Sequence, residues 1–457
     1  MTTFVRRSRL PVSREALYQW HARPGAFERL TPPWTPVEVV ERTGGIEDGA
    51  RLVMRLHAGP VPIRWTAVHR GHQPGRQFQD EQVEGPFRRW LHTHRFLDDE
   101  QGGAVLEDQV EFELPGGPLG RLGEPFALRA LRRMFRFRHA RTAADLRRHA
   151  APAGRPPLRV AVSGASGLIG SQLTAFLRAG GHTVRRLVRR AAGAGDEIAW
   201  DPERGTIAAA ALAEVDAVVH LAGENVAAGR WSPARKRAIR DSRVRGTRLV
   251  AEALASLPRP PRTLVAASAI GIYGDRGDEP CDESAAPGTG FLADVCRDWE
   301  AATAPAETAG VRVVHARIGV VLGAAGGALA RLVPVFSLGA GGVVGDGGQW
   351  VPWIGLEDVV GALHALLVRD DLAGPVNLVA PAPVTSEELA RTLGRVLRRP
   401  AVLPIPAAAI RLAFGEMGEA LLLGSTRVVP RRLTEAGFPF LYPALEGALR
   451  HELGRAA

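Results

Sequence analysis

Gly164-Ala-Ser-Gly167-Leu-Ile-Gly170 decides the fold of the larger part of this chain. Residues 158–163, just before it, form a short apolar run of strand type. Leu168–Ala179, just after it, carries apolar residues at helical spacing. A glycine triplet between a strand and a helix has a physical purpose. Gly164 permits a sharp turn, Gly167 lets the backbone approach a pyrophosphate, and Gly170 lets the helix pack closely on the sheet. The helix N-terminus then offers free N–H groups and a positive dipole end to phosphates. Working outward, Thr183–Val188 is a second strand. Residues 215–221, 263–268 and 311–318 are further apolar runs separated by helical segments. Strands alternating with helices predict a doubly wound parallel α/β sheet, covered on both faces.

The grammar differs upstream. Residues 149–157, His-Ala-Ala-Pro-Ala-Gly-Arg-Pro-Pro, neither continue a helix nor join a ladder, so they read as a linker. Before them, residues 50–56, 65–70 and 104–114 show strand-like alternation. Residues 125–150 place Phe126, Leu131, Met134 and Phe135 at helical spacing among arginines, an amphipathic helix that closes a first domain. The expected organisation is an α+β domain over 1–150, a dinucleotide-binding domain over 158–400 and a small C-terminal region over 401–457.

Composition excludes several classes. A chain of 457 residues suits two domains. No apolar run reaches the roughly 18 residues a membrane span needs, and the arginines of residues 1–10 have no apolar stretch behind them, so no secretory signal is expected. Two cysteines, Cys281 and Cys296, do not make a disulfide framework and fit a reducing cytoplasm. The net charge of +10 is spread along the chain with no arginine block interleaved with stacking aromatics, so it reads as a solvated basic surface and not as a nucleic-acid site. Among the basic side chains only Lys236 is a lysine, and the tyrosines are Tyr18, Tyr273 and Tyr442.

The GxxGxxG spacing resembles the short-chain dehydrogenase/reductase superfamily, whose Rossmann-type sheet binds a nicotinamide dinucleotide. At the end of the second strand, where an acid would hold the ribose 2′-hydroxyl of NAD, stand Arg189 and Arg190. Guanidinium groups suit the 2′-phosphate of NADP(H) by charge and by their forked donors. Residues 158–455 also resemble the epimerase-like, atypical extended branch of that superfamily. The likeness is carried by His220-Leu-Ala-Gly-Glu-Asn-Val, Gly229-Arg-Trp231, Asp241-Ser-Arg243-Val-Arg-Gly-Thr247, Ser268-Ala-Ile-Gly-Ile-Tyr273-Gly274, Arg317-Ile-Gly-Val-Val-Leu-Gly323 and Trp350-Val-Pro-Trp-Ile354. The resemblance implies cofactor contacts at Gly164, Ser166, Gly167, Leu168, Ile169, Arg189, Leu221, Ala222, Glu224, Arg243 and Val321, to which the glycine spacing adds Gly170 and the end of the second strand adds Arg190.

Residues 1–150 resemble a second family, the START-like helix-grip domains of polyketide cyclases and coenzyme-Q-binding proteins. The likeness implies an enclosed site for an apolar ligand, with Trp20, Trp34, Trp65 and Trp90 as lining or as plain core. His92 and His94 share one strand face. Two ligands do not make a metal site, so no metal is expected.

The chemistry is less legible than the cofactor. The superfamily's Tyr-x-x-x-Lys pair, in which the lysine lowers the tyrosine pKa for proton transfer, has no counterpart here. Gly277 stands four residues after Tyr273, and the positions where the extended branch carries the pair hold Phe291 or Leu292 and Val295 or Cys296. Tyr273 is the first substitute proton donor to consider, with Asp294 and Glu224 behind it. Two function classes remain open. One is an NADP(H)-dependent oxidoreductase or epimerase acting on a small-molecule substrate with a divergent proton donor. The other is a non-catalytic NADP(H)-binding sensor or scaffold whose first domain carries an apolar ligand.

Overall fold

The computed structural model describes residues 1–58, 61–150, 155–193 and 195–455, without the side chains of residues 57 and 58. Four positions of the expected linker, 151–154, lie outside the described residues. Two compact units emerge, one of residues 1–156, 175–181 and 453–455 and one of residues 157–174 and 182–452.

The first unit is a seven-stranded antiparallel sheet with a long helix. In chain order it comprises β1 (Thr2–Leu10), α1 (Arg14–Ala22), α2 (Ala26–Leu30), β2 (Val37–Thr43), β3 (Arg51–Ala58), β4 (Val61–Gln73), β5 (Gln77–Glu84), β6 (Arg89–Asp98), β7 (Ala104–Glu113) and α3 (Glu124–Ala150). The strands lie in the order β1-β7-β6-β5-β4-β3-β2. β1 therefore pairs not with its chain neighbours but with β7, from Thr2 opposite Phe112 to Leu10 opposite Ala104. Ser13 caps α1 by accepting the N–H of Ala16 at 3.1 Å. The helix α3 lays Leu131, Phe135 and His139, one turn apart, on the sheet. Phe135 meets Phe4 of β1 at 5.3 Å and His92 of β6 at 5.1 Å between ring centroids. Of the four tryptophans, Trp20 and Trp90 are buried, Trp65 packs edge-on against Trp90 at 5.2 Å, and Trp34 meets Phe137 edge-on and lies under the Arg133 guanidinium. Deep in this unit Arg29 and Asp145 form a two-pronged ion pair at 2.7 and 2.8 Å, both side chains fully buried.

The second unit is the doubly wound parallel sheet. It opens with β8 (Arg159–Ser163), α4 (Leu168–Ala179), β9 (Thr183–Val188), β10 (Glu197–Asp201) and β11 (Thr206–Ile207), then β12 (Ala217–His220), α5 (Pro233–Ala255) and β13 (Thr263–Ala269). The order is β11-β10-β9-β8-β12-β13, followed by Arg312–Ile318 and Gly374–Leu378. Every pairing is parallel except that of β10 with β11. Val160, Ala161, Val162, Val218, Val219, Leu264 and Val265 are wholly buried, as a sheet covered on both faces requires. Ser232 caps α5 and Pro233 takes its first turn, where no N–H partner is lost. Farther along, Gly277–Cys281 pairs in parallel with Thr426–Val428, which joins the C-terminal residues to the rest of this unit. No described helix is long and apolar enough to cross a membrane.

Candidate functional site

β8 pairs with β9 on one side and with β12 on the other, so the direction of winding reverses at β8. In sheets of this kind ligands bind in the crevice beyond the strand C-termini at that reversal. Two segments leave the sheet there: Gly164–Gly170 after β8, and Leu221–Glu224 after β12. They touch. Gly164 holds a φ of +67°, and a Cβ on it would come within 2.9 Å of the Leu221 carbonyl carbon. A Cβ on Gly170 would lie 2.2 Å from the Gly164 carbonyl oxygen. Both positions therefore demand glycine, which matches the roles read from the sequence. Gly167 is different: its own Cβ would stand 3.3 Å from that oxygen. It is exposed beside Ser166 at the tip of the loop, where a ligand's phosphates would meet the first turn of α4. Ile169 follows in that turn. Leu168 leans the other way, and Cβ atoms on Gly323, Gly326 and Gly327 would each meet its methyls at 3.3–3.4 Å. That places Leu168 beside Val321, which pairs in parallel with Ile354.

A serine that sequence reasoning passed over holds the second segment. The Ser163 hydroxyl accepts the N–H groups of Leu221 at 3.0 Å and Ala222 at 3.2 Å. With both lone pairs used, its proton goes to Nδ1 of His220 at 2.8 Å. Nε2 of His220 then lies beside the edge-on ring of Trp200. The ring is fully buried, and burial lowers its pKa to about 4, so the imidazole is neutral. This pin fixes the backbone at the mouth of the site. The signal was present as Ser163 ending one strand and His220 ending another, but only the parallel register brings them opposite each other.

The remaining expected contacts separate into engaged and open groups. Arg243 donates to the Glu224 carbonyl at 2.9 Å and sits over Trp299, and burial lowers its pKa. Its guanidinium faces the Cβ position of Gly223, so it lines the crevice rather than the outer helix surface. The Glu224 carboxylate pairs with Arg235 at 2.9 Å. Arg189 and Arg190 are both exposed at the end of β9, yet they are not equivalent. Arg190 grips Glu197 through two bonds, 2.8 and 2.6 Å, and those contacts hold the carboxylate below its ordinary pKa. Arg189 makes no ion pair among the described residues. Sequence reasoning treated the two arginines alike because Glu197 lies on the next strand.

Tyr273 is not at the crevice surface. It is fully buried, donates to Asn377 Oδ1 at 2.7 Å and accepts from Arg317 at 3.0 Å. Burial pushes its pKa up to about 12. Arg317 in turn holds Glu300 at 2.8 and 2.9 Å, and Ser268 donates to Glu300 at 2.6 Å. Asp294 is on the exposed side of Phe291–Ala301, paired with Arg297. Leu292 and Cys296 of the same helix face Gly271, where their Cβ and Sγ stand 3.2 and 3.8 Å from its Cβ position. Lys236 is salt-bridged to Glu416 at 2.6 Å with its ammonium 4.6 Å over the Phe291 ring.

Comparison with known proteins accounts for the architecture. Residues 160–378 match the NAD dependent epimerase/dehydratase family, residues 10–137 the family described as polyketide cyclase/dehydrase and lipid transport, and residues 405–452 a domain of unknown function. The Mycobacterium bovis epimerase family protein Mb2239 is 48% identical over 65% of this chain and 98% of its own length. The human epimerase family protein SDR39U1 is 37% identical over 64% of this chain and 99% of its own. Among solved structures, a Corynebacterium glutamicum protein described as a nucleoside-diphosphate sugar epimerase aligns with 99% of this chain and 90% of its own, at 34% identity and a TM-score of 0.83. Human SDR39U1 solved with NADPH aligns with 64% of this chain and 98% of its own, at 34% identity and a TM-score of 0.58. An epimerase-type Rossmann unit thus follows a polyketide-cyclase-like unit, and the chain belongs to the epimerase family that includes SDR39U1.

Proposed function

We propose that this protein binds NADP(H) at the crevice between β8 and β12 and acts as an epimerase-like oxidoreductase on a small molecule, with a proton donor other than a Tyr-x-x-x-Lys pair. The single observation that carries the cofactor reading is the cradle itself, where any side chain at Gly164 or Gly170 would collide with backbone. Gly164, Ser166, Gly167, Leu168, Ile169 and Gly170 would hold the pyrophosphate, while Leu221, Ala222, Glu224, Arg243 and Val321 would line the nucleoside and nicotinamide halves. Arg189 would meet the 2′-phosphate, with Arg190 beside it. The relative solved with NADPH supports the same choice. When bound, the nicotinamide supplies hydride transfer. The chain's own residues position it and exclude water. Tyr273, the first donor considered, is better suited to an anchor in the Arg317–Asn377 network.

The polyketide-cyclase-like unit would supply a small-molecule site, with Trp65, Trp90 and Phe87 as its apolar wall. The second reading, a sensor without turnover, is favoured by one arrangement: the chain's single lysine is held by Glu416 and Phe291 rather than by a tyrosine. Fluorescence titration with NADPH and NADH tests the cofactor. A 10- to 100-fold preference for NADPH is expected from one charge-assisted hydrogen bond, and equal affinities would refute it. Cofactor oxidation over a panel of carbonyl compounds and nucleotide sugars then separates enzyme from sensor.

A further inference from the structure

The interior of the first unit holds an ionisable cluster that the nucleotide site does not use. The sheet register builds it. Asp80 on β5 stands opposite His92 on β6, and His94, two residues on and hence on the same face, stands opposite Asp108 on β7. His92, His94 and Asp108 are each buried. An interior of this kind between a sheet and its helix is ordinarily apolar, and charges there persist only when paired or bound to a metal.

We propose that Asp80, His92 and His94 form a binding site for a divalent transition-metal ion of the Zn2+ type, with one coordination position left open to a small molecule. Three independent features point there. First, the donor atoms are spaced as ligands. Asp80 Oδ2 is 3.4 Å from His92 Nδ1 and 3.1 Å from His94 Nε2. Metal–ligand bonds of about 2.0–2.1 Å at tetrahedral angles place neighbouring donors roughly 3.3–3.5 Å apart. Second, the opposite nitrogen of each ring lies beside one carboxylate. His92 Nε2 and His94 Nδ1 lie 2.8 and 2.7 Å from Asp108 Oδ1. The proton that His92 Nε2 gives to Asp108 leaves the Nδ1 lone pair on the Asp80 side, which is how a carboxylate orients a histidine toward a metal, whereas His94 Nδ1 lies within ion-pair distance of that oxygen without a hydrogen bond to it. Third, the supporting groups are themselves supported. His139 of α3 reaches Asp108 Oδ2 at 2.7 Å and Ser8 at 2.8 Å, and His69 reaches the other oxygen of Asp80 at 2.7 Å. The Asp80 side chain is 24% exposed, which gives an ion a way in. No fourth protein ligand joins these three among the described residues, and two histidines with one carboxylate is the donor set of open, reactive sites.

The sequence offered only His92 and His94, two ligands. The third comes from β5, an otherwise polar strand. The inference does not depend on the nucleotide reading, since all of its residues lie in the first unit.

Full-length protein stripped with a chelator and titrated with Co2+ tests the proposal through visible d–d absorption, with Zn2+ displacement and elemental analysis of the untreated protein alongside. One ion per chain is expected. Pulsed EPR of the Cu2+-loaded protein should detect two coordinated imidazoles, falling to one in His94→Ala. Asp80→Asn should weaken uptake at least 100-fold. Asp108→Asn should weaken it 10- to 100-fold, as loss of an orienting carboxylate does. His451→Ala, in a separate group of possible ligands with Glu357 and Glu452, should change nothing. Far-UV circular dichroism and the thermal transition of each variant report whether the first unit is folded. Parent protein that takes up no stoichiometric ion overturns the proposal without recourse to any variant. So does uptake that persists in folded Asp80→Asn and His94→Ala.

Discussion

Replacing Arg189 by alanine should abolish most of the discrimination between NADPH and NADH, while replacing Arg190 should not. The asymmetry comes from Glu197. To reach a 2′-phosphate, Arg190 must leave two hydrogen bonds of 2.6 and 2.8 Å to a carboxylate, so its gain on binding is a difference between two charge-assisted contacts. Arg189 has no ion pair among the described residues to give up. One charge-assisted hydrogen bond contributes about 1.5–3 kcal/mol, or about 10- to 100-fold in affinity. Arg189→Ala should therefore weaken NADPH by about that factor and leave NADH within about 2-fold. Arg190→Ala should cost NADPH no more than about 3-fold. Glu197→Gln should tighten NADPH by releasing Arg190. Nucleotide fluorescence titrated at two salt concentrations reads all three, because a lost phosphate contact also flattens the salt dependence. A larger loss of NADPH selectivity in Arg190→Ala than in Arg189→Ala would refute the reasoning.

Other expectations follow from buried groups. His220 has a folded pKa of about 4 against 6.5, so its contribution is complete above pH 6.5 and is lost as pH falls toward 4, about 3 kcal/mol in all; denaturant midpoints should fall more steeply over that window in the parent than in His220→Gln. Arg29→Ala leaves Asp145 charged and buried without its two-pronged partner, and chemical denaturation should show a loss of about 3–5 kcal/mol. Tyr273→Phe leaves Arg317 and Asn377 each one bond short and should cost about 1–3 kcal/mol with NADPH affinity unchanged; once a substrate is known, a turnover loss of about 10²–10⁴-fold would restore Tyr273 as a proton donor.

The doubly wound sheet was legible because its signals are local. An apolar run, a glycine turn and a helical period lie side by side in residues 158–179, and Leu168–Ala179 and Thr183–Val188 fall where periodicity placed them. β2 and β5 were not legible. Val37–Thr43 is exposed along nearly all its length, so its alternation has no buried face to record. Gln77–Glu84 turns Phe78 and Asp80 inward among polar residues. The same limit applies to the site. Gly164 and Gly170 announce themselves, because only backbone contact explains them. Ser163, Glu197 and Asp80 act through partners on neighbouring strands, and strand order is a long-range property that spacing along the chain does not encode. Tyr273 illustrates the converse: a tyrosine followed by glycine draws attention in the sequence, and its hydroxyl lies in the core.

The position of β1 has a consequence for synthesis. It is made well before β7, which is its sole partner in the sheet, and the Arg7–Glu107 pair that crosses the ladder joins residues 100 apart. Until β7 leaves the ribosome, β1 is an unpaired edge, the kind of segment that templates association between nascent chains. Closing so long a loop is slow compared with forming a hairpin. Arg6, Arg7 and Arg9 make the waiting strand strongly cationic, so two copies repel one another. Neutralising them should lower the yield of soluble chain long before it lowers the stability of the finished fold.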